Sequence, residues 1–338
     1  MGQDFEALVE RHRREIQVHC YRMLGSPADA EDLTQETFLR AWKGRDGFEG
    51  RASVRTWLYR IATNACLDVL ARRPRRVLPD QLGPPGEPVG PIEAADLPWL
   101  EPYPDRLLDH GATPDDTVVE RETIELAYLA AVQYLPPRQR AALVLRDVLG
   151  WSAKETAALL ETSVASANSA LQRARATLRE RLPARRTEWT VGEPTAGETA
   201  LLKRFIAAYE AGDPAAVARL LHEDAQAIMP PYTLWFANRA SIVQALTLSL
   251  DPASPECVGR FRMRPVYANR QPAVATYLRR PEEHDYRWFG ATLLTIEDGA
   301  ITAMAAFESV TAAAFGLPET WPGAHDDHMP AGKMQSGA

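Results

Sequence analysis

The sequence predicts a multidomain chain: two all-α blocks, the second ending in a helix-turn-helix, and then an α+β domain. Three observations carry this reading. Apolar residues recur at helical spacing through 4–73 and again through 117–182. A stretch rich in Pro and Gly, 74–116, separates them. From about residue 198 two helical segments give way to alternating, strand-like runs, an order that argues α+β. The resulting boundaries are 1–76, 77–116, 117–186, 197–318 and a mobile tail at 319–338.

In the first block, SPADAEDLTQETFLRAW opens with a Ser-Pro helix entry and an acidic first turn. The loop GRDGFEGRAS follows, and SVRTWLYRIATNACLDVLARR predicts a long helix that stops at Pro74. On that helix Val54, Leu58, Ile61, Ala65 and Val69 form the expected core face. Tyr59, Arg60, Thr63, Asn64 and Leu67 fall opposite, with Trp57 at the margin. An exposed aromatic, arginine and asparagine together suit unpaired nucleic acid, which is bound by stacking, phosphate pairing and base-edge hydrogen bonds. Packing between helices is the plainer explanation of Trp57 and Tyr59. Arg72, Arg73, Arg75 and Arg76 close the helix at its negative dipole end and are candidates to hold a DNA backbone.

The connector carries PWLEPYPDRLL, whose Trp99, Leu100, Tyr103, Leu107 and Leu108 predict that it docks on another part of the chain. In the second all-α block one helix is expected across Val118–Tyr134 and one after Pro136-Pro137. Then comes LGWSAKETAALLETSVASANSALQRARATL, two helices with a tight break. Ser152 and Glu155 form a capping box on the first. On the second, Ala167, Ala170, Leu171, Ala174 and Leu178 are expected inside, and Asn168, Ser169, Gln172, Arg173 and Arg175 outside. This is the helix-turn-helix pattern, in which Asn or Gln pairs adenine and Arg pairs guanine. A helical hairpin in an ordinary bundle has the same pattern.

The net charge of −7 is unevenly spread: +3 over 1–76, −8 over 77–116, +3 over 117–190 and −5 over 191–338. Two basic blocks thus flank an acidic connector, with an acidic domain behind them. No apolar run reaches the roughly 18 residues of a membrane span. The start, MGQDFEALVERHRRE, lacks the apolar segment of a signal peptide. Cys20, Cys66 and Cys257 form no ligand set and read as reduced, buried thiols, so a cytoplasmic protein without membrane attachment is expected. No cofactor or metal is expected. His325, Asp326, Asp327 and His328 read as a solvated polar run.

DAEDLTQETFLRAW with FEGRASVRTWLYRIATNACLDVLARR resembles region 2 of the sigma-70 family, in its extracytoplasmic-function branch. LPPRQRAALVLRDVLGWSAKETAALLETSVASANSALQRARATL resembles region 4 of the same family. The resemblance implies an initiation factor, not an enzyme, with core RNA polymerase (β′ clamp helices and β flap) and promoter DNA as partners. It assigns Asp32, Leu33, Gln35, Glu36, Phe38 and Trp42 to the clamp-binding helix. It gives Arg55, Trp57, Tyr59, Arg60, Thr63, Asn64 and Arg72 to the −10 element. The −35 element falls to Lys154, Asn168, Ser169, Gln172, Arg173 and Arg175. Many relatives carry basic residues where Ser169 and Ala170 stand. The acidic connector is expected to follow the family's path through a basic polymerase channel.

GETALLKRFIAAYEAGDPAAVARLLHEDAQAIMPPYTLWFANRASIVQAL, followed by strands, resembles the SnoaL-like branch of the NTF2-like fold, a curved sheet and helices enclosing a cone. The connector segment WLEPYPD resembles that of a SigG-like subgroup of fused sigma factors. The fused domain is therefore expected to tune activity by contacting the sigma regions. His222, Asp224, Tyr232, Trp235, Tyr286 and Trp288 are candidate residues of a small-ligand pocket. Two other readings stay open: a helix-turn-helix repressor that binds DNA without polymerase, and a SnoaL-like enzyme or sensor with a DNA-binding appendage.

Overall fold

A computed structural model describes residues 2–48, 50, 52–87, 94–108, 124–182 and 195–321. The first helical unit packs α1 (Gly2–Leu24), α2 (Pro27–Gly44) and α3 (Val54–Leu70) around Ile16, Tyr21, Met23, Ala41, Leu58 and Cys66. Both predicted helix entries form: Ser26 accepts from the Asp29 N–H ahead of Pro27, and Ser53 accepts from the Thr56 N–H.

The expected exposed face of α3 needs correction. Tyr59 and Thr63 are 2% and 0% exposed, while Val54, Ile61 and Val69 are only half-buried. The helix packs against α1 and α2 and also meets the second helical unit, so its buried stripe is wider than one neighbour would require. The Tyr59 and Thr63 hydroxyls drawn inside are partnered. Tyr59 Oη donates to Glu15 Oε2 at 3.1 Å, and His19 Nε2 lies 2.9 Å from Thr63 Oγ1.

The second unit contains α4 (Leu126–Val132), α5 (Pro137–Leu143) with a π-helical turn at Val144–Val148, α6 (Ala153–Leu159) and α7 (Val164–Arg181). The capping box of Ser152 and Glu155 is present. The break before α7 is made by Glu161, in a left-handed conformation. The N-terminal part of the helix expected across Val118–Tyr134 lies outside the described residues.

The third unit has α8 (Ala196–Glu210), α9 (Pro214–Ala218), α10 (Arg239–Leu250) and seven strands: β1 (Leu221–Ile228), β2 (Trp235–Phe236), β3 (Arg260–Ala268), β4 (Gln271–Arg279), β5 (Tyr286–Glu297), β6 (Ala300–Phe307) and β7 (Thr320–Trp321). They form one sheet in the order β2-β1-β6-β5-β4-β3, with β7 paired to β5. The hairpin predicted at Asp298-Gly299 forms, with both residues at positive φ. A bulge at Gly290 shifts the β4–β5 register. A Cβ there would lie 2.2 Å from the Phe307 carbonyl oxygen, so glycine is required.

The HED segment is part of β1 and lies in the irregular stretch between the Leu221 and Gln226 pairings with β6. The tail does not begin at residue 319, because Thr320 and Trp321 pair with Arg287 and Tyr286. His325–His328 lie outside the described residues.

The connector docks, as its apolar residues predict. Leu100, Tyr103 and Leu108 are fully buried, in one continuous core with α1–α3, α4–α7 and the outer face of the sheet. A separate core fills the cone, built from Leu202, Phe205, Val217, Ile242, Val274 and Leu294.

Candidate functional site

On α2, Asp32 and Gln35 are exposed, and Glu36 is held by Arg40 at 2.7 Å. Trp42 is 37% exposed, with its ring against Phe5 and the Arg45 guanidinium. Phe38 is only 6% exposed and belongs to the bundle core, and Leu33 is half-buried. Leu39 was not singled out from sequence, yet at 47% it is the most exposed large apolar side chain on this helix. Residues 32, 35, 39 and 42 share a stripe at helical spacing, a signal that was available in the sequence.

On α3 the exposed polar groups are Arg55, Arg60, Asn64 and Asp68, followed by Arg72; Trp57 is half-buried with its ring stacked on Phe48 at 4.8 Å. Arg55 is tied to Glu15 at 2.6 Å. Arg73 and Arg76 both pair with Asp29, and Arg75 lies 4.2 Å over the Tyr134 ring. The arginine cluster is thus mostly engaged within the protein.

On α7, Asn168, Ser169, Gln172 and Arg173 are exposed in a row, and Lys154 is exposed on α6. Ala167, Leu171, Ala174 and Leu178 face inward as expected. Arg175 makes a bidentate bond to Asp147, at 2.6 and 2.9 Å, so its guanidinium is already occupied.

Two buried polar groups join the three units. Arg140 on α5 is 2% exposed and donates to Met23 O at the end of α1 (2.5 Å), to Gln133 Oε1 and O, and to Leu135 O. Burial among these neutral acceptors pulls its pKa down to about 10. Asn269, fully buried at the β3–β4 turn, is the other. Its Oδ1 accepts from the Tyr103 N–H (2.8 Å), and its Nδ2 donates to Tyr21 Oη (2.8 Å) and Ile124 O (2.6 Å). One side chain from the sheet therefore touches α1, the connector and the segment leading into α4. Arg106 extends the joint through the Ala313 and Ala314 carbonyls.

The cone holds a cavity of about 530 Å³, walled by Phe205, Phe236, Leu246, Phe261 and Phe289 among others. Its polar groups are few. Tyr232 Oη donates to Glu308 Oε2 at 3.0 Å, and Thr276 Oγ1 is buried with no partner. Burial drives the Glu308 carboxyl upward, and burial with Glu308 beside it raises Tyr232 to about 12.

Of the six pocket residues named from sequence, Tyr232 alone lines this cavity. His222 and Asp224 line a groove between the sheet and α4, with Nδ1 and Oδ2 4.0 Å apart and the aspartate carboxylate largely in solvent. Trp235 donates to Gly83 O of the connector, and Trp288 donates to Val310 O. Tyr286 lies under Arg262 and Arg279. Strand alternation explains the split, since successive residues of β1 and β5 face opposite sides.

Comparison with known proteins gives three family matches: Sigma-70 region 2 over residues 8–76, Sigma-70 region 4 over 125–178, and a SnoaL-like domain over 202–304. Over 320 residues the chain is 43% identical to the extracytoplasmic-function RNA polymerase sigma factor SigG of Mycobacterium tuberculosis, covering 94% of this chain and 85% of that one. The chain belongs to the extracytoplasmic-function sigma factors.

This sigma factor is also 34% identical to SigW of Bacillus subtilis over 181 residues, 53% of this chain and 88% of that relative. Its fold resembles the crystal structure of the M. tuberculosis sigma factor SigJ, with a TM-score of 0.56 at 23% identity over 94% of this chain and all of that one. Membership makes it a transcription initiation factor, not an enzyme, working with RNA polymerase and promoter DNA. No described helix is long and apolar enough to cross a membrane.

Proposed function

We propose that this sigma factor docks on the polymerase clamp through Asp32, Gln35, Leu39 and Trp42, and on the β flap through region 4. In this reading the exposed side of α3, with Arg60 and Asn64 flanked by the half-buried Trp57 and by Arg72, opens the −10 element. The α7 row of Asn168, Ser169, Gln172 and Arg173, with Lys154 beside it, reads the −35 element. The small Ser169 leaves fewer base contacts than a basic residue would, so DNA shape carries more of the −35 preference. The chain works in the cytoplasm, where the polymerase is.

The fused domain tunes this activity by holding the two sigma regions together. The observation that carries this is the Asn269 joint, in which one buried side chain bonds region 2, the connector and the entry to region 4. The −10 and −35 elements lie about 25 base pairs apart, on the order of 80 Å along B-DNA. Regions 2 and 4 are in direct contact here through Arg140. The closed arrangement therefore cannot span both elements, and promoter recognition requires it to open. Asn269→Gly keeps the left-handed turn and removes three side-chain hydrogen bonds, each worth about 1 kcal/mol. Transcription by reconstituted polymerase is expected to rise several-fold; unchanged activity would sink the idea.

A small ligand in the cone is a second level of control, favoured by the unpartnered Thr276 Oγ1 in a mostly apolar cavity that also presents the Tyr232–Glu308 pair and Arg280. Thr276 lies on β4, the strand whose start follows Asn269, so an occupant pressing on β4 reaches the same joint. Melting temperature screened against apolar compounds bearing one hydrogen-bonding group tests this. A hit whose effect disappears in Thr276→Val supports it, and a stabilisation indifferent to that change contradicts it.

A further inference from the structure

The outer face of the sheet divides into two halves. Val266, Ala268, Ala273, Ala291 and Leu293 form the half packed against the connector and the sigma regions. The other half is of a different kind. Arg260, Arg262 and Arg264 alternate along β3, and the register sets Arg279 opposite Arg260 and Tyr277 opposite Arg262. Tyr286 and Trp288 on β5 and Trp321 on β7 continue this face.

The rings and guanidinium groups interleave. Arg279 lies 4.9 Å over Tyr286 and Arg264 lies 5.3 Å over Trp321, whose ring is 5.1 Å from Tyr277. Glu210 neutralises Arg262 at 3.3 Å. Arg260, Arg264 and Arg279 have no salt bridge among the described residues, although Glu319 stands near Tyr277. Residues 257–290 hold seven arginines against three acids, inside a segment, 191–338, whose net charge is −5. This concentration is local and one-sided, and core packing does not require it.

We infer that this Arg–aromatic half-face, continuous with the joint to the sigma regions, is an additional nucleic-acid-binding surface. It binds phosphates through Arg260, Arg264 and Arg279, with the Tyr286 and Trp321 rings holding the Arg279 and Arg264 guanidinium groups in place. Guanidinium groups laid flat on aromatic rings keep their N–H edges free for phosphate. Alternate strand residues stand about 6.6 Å apart, twice the roughly 3.4 Å axial rise per nucleotide on a strand. By axial rise, neighbouring members of the row are thus about two nucleotides apart, matched to every second phosphate of one strand.

The test uses the full-length protein and two labelled probes, a 20-nucleotide oligo-dT and a mixed-sequence duplex of the same length. Affinity is measured across a salt series for the parent, for R260Q/R264Q/R279Q, and for the charge-matched control K203Q/R204Q/R287Q. Equal melting temperatures establish that all three are folded. Losing three phosphate contacts is expected to weaken binding at low salt by tenfold or more. It is also expected to flatten the slope of log affinity against log salt by about two for the single strand and nearly three for the duplex. The control should leave both quantities unchanged. Tighter binding of oligo-dT assigns the surface to a melted strand, and tighter binding of the duplex assigns it to flanking DNA. No measurable binding, an unchanged slope in the triple variant, or an equal change in the control overturns the proposal.

Discussion

His19 is sealed in the region 2 core beside Thr63, and burial, helped by the nearby Arg22 charge, pulls its pKa down to about 3. Folded His19 stays neutral where an unfolded histidine, with a pKa near 6.5, takes up a proton. Above that pH both states are neutral and the group has no effect. As pH falls from about 6.5 towards 3 the unfolded state gains protons and stability drops, by about 2 kcal/mol at pH 5. Denaturant unfolding across this range should show that loss, and His19→Gln should reduce it; an identical profile in the variant would contradict the assignment. The same scale separates residues exposed to DNA from those occupied inside the protein. Asn64→Ala is expected to cut promoter opening at least tenfold while leaving unfolding unchanged. Tyr59→Ala is expected to cost about 3–4 kcal/mol of stability, because the ring is core. Equal losses of stability in the two variants would place Asn64 in the core as well.

At the scale of elements, α7 illustrates what was legible. Its inner row of Ala167, Leu171, Ala174 and Leu178 and its outer row follow directly from helical period and residue size. The same reasoning misjudged α3, because period assigns one core face and the sequence does not announce a second neighbour. The start of β1, His222 to Asp224, lacks the β-branched and aromatic residues that mark strands, and its His222 and Asp224 edge a groove. The Asn269-Arg270 turn escaped notice for lack of glycine, though asparagine tolerates the left-handed region that it occupies at φ 55°. No pattern in sequence reports Asn269's partners, since they lie about 145 to 250 residues away. The exposed row of α7 makes its own prediction. Alanine at Asn168, Gln172 or Arg173 should each lower transcription from promoters with an intact −35 element by about 1–3 kcal/mol of binding, with little effect where that element is scrambled. Arg175→Ala should instead act through loss of its Asp147 partner and reduce both templates alike. Equal effects of all four variants on both templates would remove α7 from base readout.

For the whole molecule, the connector carries a net charge of −8 over 77–116 and yet buries apolar side chains. Its charge suits a basic channel in the polymerase, while Leu100, Tyr103 and Leu108 are committed to the closed form. The two roles compete, and Arg140 and Asn269 set the balance. Arg140→Met would leave the Met23, Gln133 and Leu135 carbonyls without a donor. It is expected to cost about 2–4 kcal/mol in unfolding free energy and to loosen region 4 from region 2. The free sigma factor is thus expected to be closed, and polymerase to open it. The most direct measurement is the distance between spin labels at the exposed positions 28 on α2 and 180 on α7, before and after core polymerase is added. A single short distribution in the free protein, replaced by one tens of ångströms longer in the complex, is the predicted result. The same distribution in both states would contradict it.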